Sequence, residues 1–476
     1  MNGTTKRIVI GVVMAALVGG GVTAYMRHAR EARFHAEAVA ALPARPVSVM
    51  YPEYINRVAA AEEQVRSEVN WRGGMGALAS LYHANGATQE AATLYGVLVR
   101  ADAENAHWPD RLASIYSLYG QLDQAVLLWR RTARIDSHYL PAQLNLADAL
   151  IKLNQASEAV PIYEAVLKVE PQNPYAVAGL AKADIAAGRW QQAQNRLEKA
   201  GLSSGVNIGE NILVAVYEHL GEADKARAMR SRLKSTDSYI ETPDPWVEEV
   251  SDDCYDAFRL TWDSGAARRR SDPARALRLL EKAIRVNPKY ALAYFQMGVL
   301  QVDLHDLDAA KKALRASIDL DPTFGDAWAK LIALSRSREE ADWALAEGLR
   351  RCPDSPSLHA MNGKRLKTIG QVDAALEEFK RVAELRPSEI LGLIDCAQIY
   401  FQRGQDELAV STLERALEII PEDPLVLSTL AIYWIGVKNE PKAHDFVLRS
   451  RAQVRLQEDR LLQITNAYQA SFGRSP

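Results

Sequence analysis

The chain has 476 residues, with 57 Lys and Arg against 60 Asp and Glu, a formal charge of -3, 48% hydrophobic and 25% charged residues. That balance creates no field for nucleic acid or anionic lipid, and the hydrophobic share is ordinary for a globular chain. Three cysteines, Cys254, Cys352 and Cys396, form no C-x-x-C pair, which argues against a zinc ribbon or a disulfide framework.

The first element is an apolar run. Ile8 to Met26 is nineteen residues without a charge, preceded by Lys6 and Arg7 and followed by Arg27, Arg30 and Arg33. As a helix it would reach about 28 Å, close to the hydrocarbon thickness of a bilayer. A cleaved signal peptide is the alternative, since Val22, Thr23 and Ala24 resemble a small-residue cleavage site. The length of the run and the arginines behind it favour an uncleaved anchor. A short basic N-terminus before a first hydrophobic segment is the usual signal-anchor arrangement, so the expectation is a single-pass membrane protein with its repeats outside the cytoplasm. From Glu31 to Pro52 the chain is Ala-rich and then broken by Pro43, Pro46 and Pro52, which reads as a helical stalk and a spacer.

Next comes a period. Ala79, Ala113, Ala147 and Ala181 recur every thirty-four positions, and each is followed twelve residues later by Ala91, Ala125, Ala159 or Ala193. Apolar residues three and four apart around them predict two amphipathic helices per unit, with Gly86, Gly120 or Gly188 at the turn. An alanine at a helix crossing lets the axes approach until Tyr116 or Tyr163 fills the remaining gap. Ser235 to Val250, containing Pro243, Asp244, Pro245 and Trp246, interrupts the pattern as a loop, with Trp246 expected to pack in the joint. The small residue then returns at Ala276, Ala310, Ala341, Ala375, Ala409 and Ala443, and the closing proline at Pro288, Pro322, Pro353, Pro387 and Pro421. Between Pro322 and Pro353 the spacing shrinks to thirty-one, which predicts a clipped first helix in that unit.

This pattern resembles the tetratricopeptide repeat family over roughly Tyr51 to Gln457, and with the apolar N-terminus it resembles membrane-anchored bacterial members. The resemblance implies an all-α fold, a tetratricopeptide α-solenoid of about eleven repeats in two arrays, with an N-terminal transmembrane helix. The expected division is an anchor at 1–30, a stalk and spacer at 31–70, a first array at 71–234, a Pro-rich linker at 235–250, a second array at 251–457 and a C-terminal helix and tail at 458–476.

Chemistry is absent from the motifs. Gly201 to Gly205 matches G-x-S-x-G around Ser203, but that motif needs a strand before the serine, and here a helix precedes it. There is no H-E-x-x-H, no phosphate-binding G-x-x-x-x-G-K-[ST] and no C-x-x-C-H. Arg268, Arg269 and Arg270 read as a solvated turn. No catalytic residue, metal ligand or cofactor is expected.

Binding remains. In the family, first helices line a concave groove that takes peptides or helices, and chaperone-binding members clamp a terminal carboxylate with lysines and asparagines. The matching places here are Gly76, Ser80, Asp110, Ser114, Leu144, Asn145 and Asp148, so apart from Asn145 the clamp is missing. The groove is expected to show Lys182, Phe295, Gln296, Lys364, Lys367, Gln398 and Phe401, with the two phenylalanines as anchors. The function expected is a non-catalytic, membrane-anchored scaffold holding protein or peptide partners of the bacterial envelope, with no nucleic acid and no small-molecule substrate. A cytoplasm-facing membrane adaptor, resembling regulators of lipopolysaccharide assembly, is the alternative. Those carry a C-terminal metal-binding cysteine motif that this chain lacks.

Overall fold

The structure, a computed structural model, describes residues 3–43, 51–200, 208–232, 242–453 and 456–476. Part of the spacer at 44–50, the Gly201–Gly205 pattern with Ser203, and residues 235–241 of the Pro-rich break lie outside the described residues.

In chain order the helices are α1 (Gly3–Ala40), α2 (Pro52–Arg66), α3 (Trp71–Ala84), α4 (Thr88–Ala101), α5 (His107–Leu118), α6 (Leu122–Ile135), α7 (Leu140–Lys152) and α8 (Ala156–Val169). There follow α9 (Pro174–Ala186), α10 (Trp190–Lys199), α11 (Ile208–His219), α12 (Ala223–Arg232), the short α13 (Pro245–Glu248) with a 3-10 turn at Glu249–Asp253, and α14 (Ala257–Arg269). The remainder is α15 (Pro273–Val286), α16 (Ala291–Asp303), α17 (Leu307–Leu320), α18 (Gly325–Ala333), α19 (Arg338–Arg351), α20 (Pro356–Thr368), α21 (Val372–Leu385), α22 (Leu391–Gln402), α23 (Asp406–Ile419), α24 (Pro424–Gly436), α25 (Glu440–Ala452) and α26 (Glu458–Phe472). The fold is an all-helical stack of helix pairs.

By contacts the chain divides into two compact units: residues 1–171 with 241–260, and residues 172–240 with 261–476. In the first, α2 to α8 pack each on the next. In the second, α9 to α12 form one group of neighbours and α15 to α26 another run of successive contacts.

The period has a physical cause in each pair. Ala79, Ala91, Ala113, Ala125, Ala147, Ala159, Ala181 and Ala193 are all fully buried where helices cross, as are Ala310, Ala375, Ala409 and Ala443. Anything larger would hold the axes apart. The turn inside most pairs places a residue in the left-handed region, supplied by Gly86, Gly120, Gly188, Gly221, Gly370 and Gly404, but also by Asn154, Ser271, His305 and Lys438 at φ 60, 61, 62 and 57 degrees. Side-chain caps start several helices, as Asn173, Asp306, Ser355 and Asp423 accept from backbone N–H groups one turn on. In the unit with the shortened spacing, α18 has nine residues against thirteen in α16, and Ala341 is only partly buried.

Two expectations are corrected. Among the described residues no helix is long and apolar enough to cross a membrane, and the single-pass anchor with extracytoplasmic repeats is withdrawn on that finding. Side chains of α1 are described from Val22 onward; those of residues 8–21 in the apolar run lie outside the described ones. The described part lies along protein: Ala38 is fully buried, His35 bonds the Val65 carbonyl at 2.9 Å, Glu31 pairs with Arg72 at 2.6 Å, and Glu37 pairs with Arg100. A helix face that distributes Arg27, Arg30, Glu31, Arg33 and Glu37 in this way suits partner helices and water, because each such charge is expensive in hydrocarbon. The arginine run is corrected too. Arg268 and Arg269 close the last turn of α14, where cations suit the carbonyl end of a helix, and Arg268 pairs with Asp303 at 2.9 Å.

Candidate protein-binding surfaces

In the second unit the first helices of neighbouring pairs, α20, α22 and α24, bring several polar and apolar groups together. Lys367 on α20 donates to Gln398 Oε1 on α22 at 3.2 Å. One turn on, the Phe401 ring packs against Tyr433 of α24, with centroids 5.4 Å apart. Gln398 and Phe401 line a cleft of 610 Å³ together with Ile394, Leu425 and, from α26, Arg460. Its floor includes Leu413 and Val426, which belong to the packed core of that region. Leu425 stays 47% exposed, so the wall is apolar and open. Asp395 sits between the charges: burial raises its carboxyl above the ordinary range, while Lys364 and Lys367 pull it down.

The other expected groove residues lie elsewhere. Phe295, on α16, is partly buried against Phe324 at 4.8 Å and joins the cluster of Trp328 and Leu331, separate from that of Phe401. Gln296 neighbours it on α16, and Lys182 sits on α9; none of the three lines the cleft. Arg460 and Leu425 escaped the sequence reading. Arg460 belongs to a helix beyond the last thirty-four-residue unit, so no repeat position marks it. Leu425 follows a helix-starting proline, a place that reads only as a cap. Among the described residues, no group of three His, Cys, Asp or Glu side chains could hold a metal ion.

The first unit carries a surface of another kind, already covered by residues 242–256 of the same unit. Asp244 caps α13 and accepts from Tyr139, the N-cap residue of α7, at 2.6 Å and from Asn145 Nδ2 on α7 at 3.0 Å. Trp246 stacks between His107 of α5, 4.1 Å away, and Tyr139, 3.4 Å away. Its backbone is held at both ends: Trp246 N donates to the Tyr139 hydroxyl at 3.0 Å, and Arg111 Nε donates to the Trp246 carbonyl at 2.9 Å. Arg111 also reaches Glu249 at 3.1 Å and Ser80 at 3.1 Å. Further along, Asn85 donates to the Asp253 carbonyl at 2.8 Å and accepts from Tyr255 N at 2.6 Å, while Arg57 pairs with Asp253 at 2.6 Å.

The electrostatics of this face are unusual. Asp110 is fully buried, and burial together with the neighbouring Asp244 holds its carboxyl well above the ordinary range. Burial also raises Asp244, against the lowering effect of Tyr139 and the Val247 N–H. Tyr139 is pushed up by burial and Asp244 and stays a neutral donor, and His107 is pushed down by burial and Arg111. Ser80 and Asp110, two places where the chaperone clamp is missing, and Asn145, the one place that matches it, are thus part of the surface that meets the segment. Trp246 does pack, within the first unit.

Similarity to known proteins agrees with this architecture. Family models described as tetratricopeptide repeat match residues 154–204 and 253–471. The anaphase-promoting complex subunit CDC16 of Saccharomyces cerevisiae is 26% identical over 30% of this chain and 18% of its own length. Anaphase-promoting complex subunit 7 of Arabidopsis thaliana is 24% identical over 58% of this chain and 47% of its own. The chain therefore spans less than half the length of these curated relatives. Among solved structures, yeast Tom70 has 15% identity and a TM-score of 0.39, covering 85% of this chain and 96% of that one. The two family models, which together span more than half of the chain, agree with the alanine period and the stacked helix pairs: the chain belongs to the tetratricopeptide repeat family.

Proposed function

We propose that the chain is a non-catalytic scaffold that holds an extended protein segment in the cleft of the second unit. Tetratricopeptide repeats are protein-interaction scaffolds, and the observation that carries this reading is the 610 Å³ cleft with its open apolar wall and Arg460 in its lining. Phe401 and Leu425 supply an anchor pocket lined also by Arg460, and Lys367 reaches its edge through Gln398. Such a surface selects a segment that offers one large apolar side chain flanked by acidic residues.

A photo-crosslinking amino acid placed at Gln398 tests this, with Glu414 on the outward helix α23 as the control position. The expected result is a discrete crosslinked partner from position 398 that is absent from position 414. Phe401→Ala should then weaken the isolated pair by about thirtyfold, the equivalent of ~2 kcal/mol for a true anchor. Equal crosslinking at both positions would refute the assignment.

A further inference from the structure

We infer that the first-helix face of the first unit is a receptor for a short acidic segment bearing Asp-Pro-aromatic that turns into a helix after its aspartate, and that Thr242–Glu249 is its in-chain occupant, which a partner segment of the same chemistry displaces.

The argument starts from how the segment is held. Between Thr242 and Asp256 it carries Asp244, Glu248, Glu249, Asp252, Asp253 and Asp256 and no base. The face opposite it offers Arg111, Asn145, Tyr139, Asn85 and Arg57. Several of the contacts go to main-chain atoms, namely Trp246 N and O, the Asp253 carbonyl and Tyr255 N. Within Thr242–Glu249 the main-chain contacts are those of Trp246, and Asp244, Trp246 and Glu249 are read by their side chains. That is recognition of a peptide by a groove, with two carboxylates and one aromatic as its specificity.

The segment also has two halves of different character. Val250, Cys254 and Tyr255 are buried, at 4%, 1% and 5% exposure, and anchor the chain. From Pro243 to Glu249 most residues are only partly buried, with Pro245 and Glu249 exposed, and the hold is polar. The first half can therefore leave while the second stays.

A third observation separates a replaceable ligand from a permanent clamp. Asp244 is seated beside Asp110, and two carboxyls brought together out of water oppose each other wherever both are charged. An amide side chain at the Asp110 place would meet Asp244 without that opposition. A face built only for stability has no use for that opposition, whereas a face that must exchange its occupant does.

The test uses a fluorescein-labelled peptide of residues 241–250 as the probe, added to the whole chain. The wild-type protein should bind it weakly, because its own segment competes. The variant Asp244→Ala with Trp246→Ala empties the face and should bind at least about tenfold more tightly, since affinity is reduced by the fraction of face already occupied. A control peptide with alanine at the Asp244 and Trp246 positions should not bind. Asp244→Ala alone leaves the rings around Trp246 in place and, should the double variant fail to fold, must still bind the probe more tightly than wild type. Helical content and cooperative melting establish that each variant is folded. A folded variant that binds no better than wild type, or equal binding of both peptides, would overturn the proposal.

Discussion

Replacing Trp246 with alanine should release the segment around it without unfolding the first unit. The indole is partly buried and stacked on two rings, 4.1 and 3.4 Å away, while its backbone N and O keep their bonds to Tyr139 and Arg111 in the variant. A fully enclosed tryptophan removes roughly 200 Å² from water, so partial enclosure removes on the order of 150 Å², or about 3 to 4 kcal/mol at ~25 cal/mol per Å². A realistic released state already hides part of that area, which trims the loss to about 2.5 kcal/mol. The docking equilibrium should therefore fall roughly seventyfold. Amide hydrogen exchange at residues 244–250 reads that equilibrium directly, because these groups exchange when the segment opens. Exchange there should accelerate by a similar factor, while amides in α4 and α6 stay as protected as before. An acceleration of less than about fivefold would refute the reasoning, since the stack would then contribute no more than a surface contact.

The same segment should loosen as pH rises. The groups facing Asp110 and Asp244 are Arg111 and His107 from α5, Trp129 from α6, Tyr139 at the N-cap of α7, Asn145 from α7, and Glu248 from the segment itself, and the balance leaves both carboxyls raised, chiefly by burial. The docked state thus holds a proton that the released state gives up, so docking is strongest below the ordinary carboxylate range and weakens as pH climbs through the raised values. Exchange at residues 244–250, corrected for its intrinsic pH dependence, should show more opening at high pH; a flat profile would contradict it. Lys438→Gly should stabilise the second unit by about 0.5 to 1 kcal/mol in urea unfolding, because Lys438 holds a left-handed φ of 57 degrees that glycine adopts without a Cβ clash. Gly363→Ala should destabilise it by about 1 to 3 kcal/mol. A Cβ there would meet the buried Phe379 ring at 2.6 Å, and an unchanged melting curve would show that the ring yields freely.

Much of the fold was legible because its cause is local and recurrent. Two helices that must cross closely need a small residue at the crossing, so Ala79, Ala113 and Ala147 appear at a fixed period, and all three are fully buried. The turn between them needs a left-handed residue, so Gly86, Gly120 and Gly188 keep the same period. Of the site residues, Lys367, Gln398 and Phe401 could be placed together because consecutive first helices present equivalent positions to one face. Phe295 could not be separated from them in that way, since an aromatic at a repeat position looks the same whether it meets a cleft or, as here, Phe324.

What the period cannot specify is which distant stretch of chain covers which face. Asp244 meets Asn145 across 99 residues, Arg111 meets the Trp246 carbonyl across 135, and Asn85 meets Asp253 across 168. Helix, turn and repeat follow from interactions within a few turns of chain, and those the amino-acid order determines by itself. The covering of the first unit by Thr242–Asp256, and the reach of Arg460 to the cleft beside Phe401, depend on how long-range polar groups find partners out of water. Only the packed structure decides that, because each such contact depends on burial that the neighbours create together.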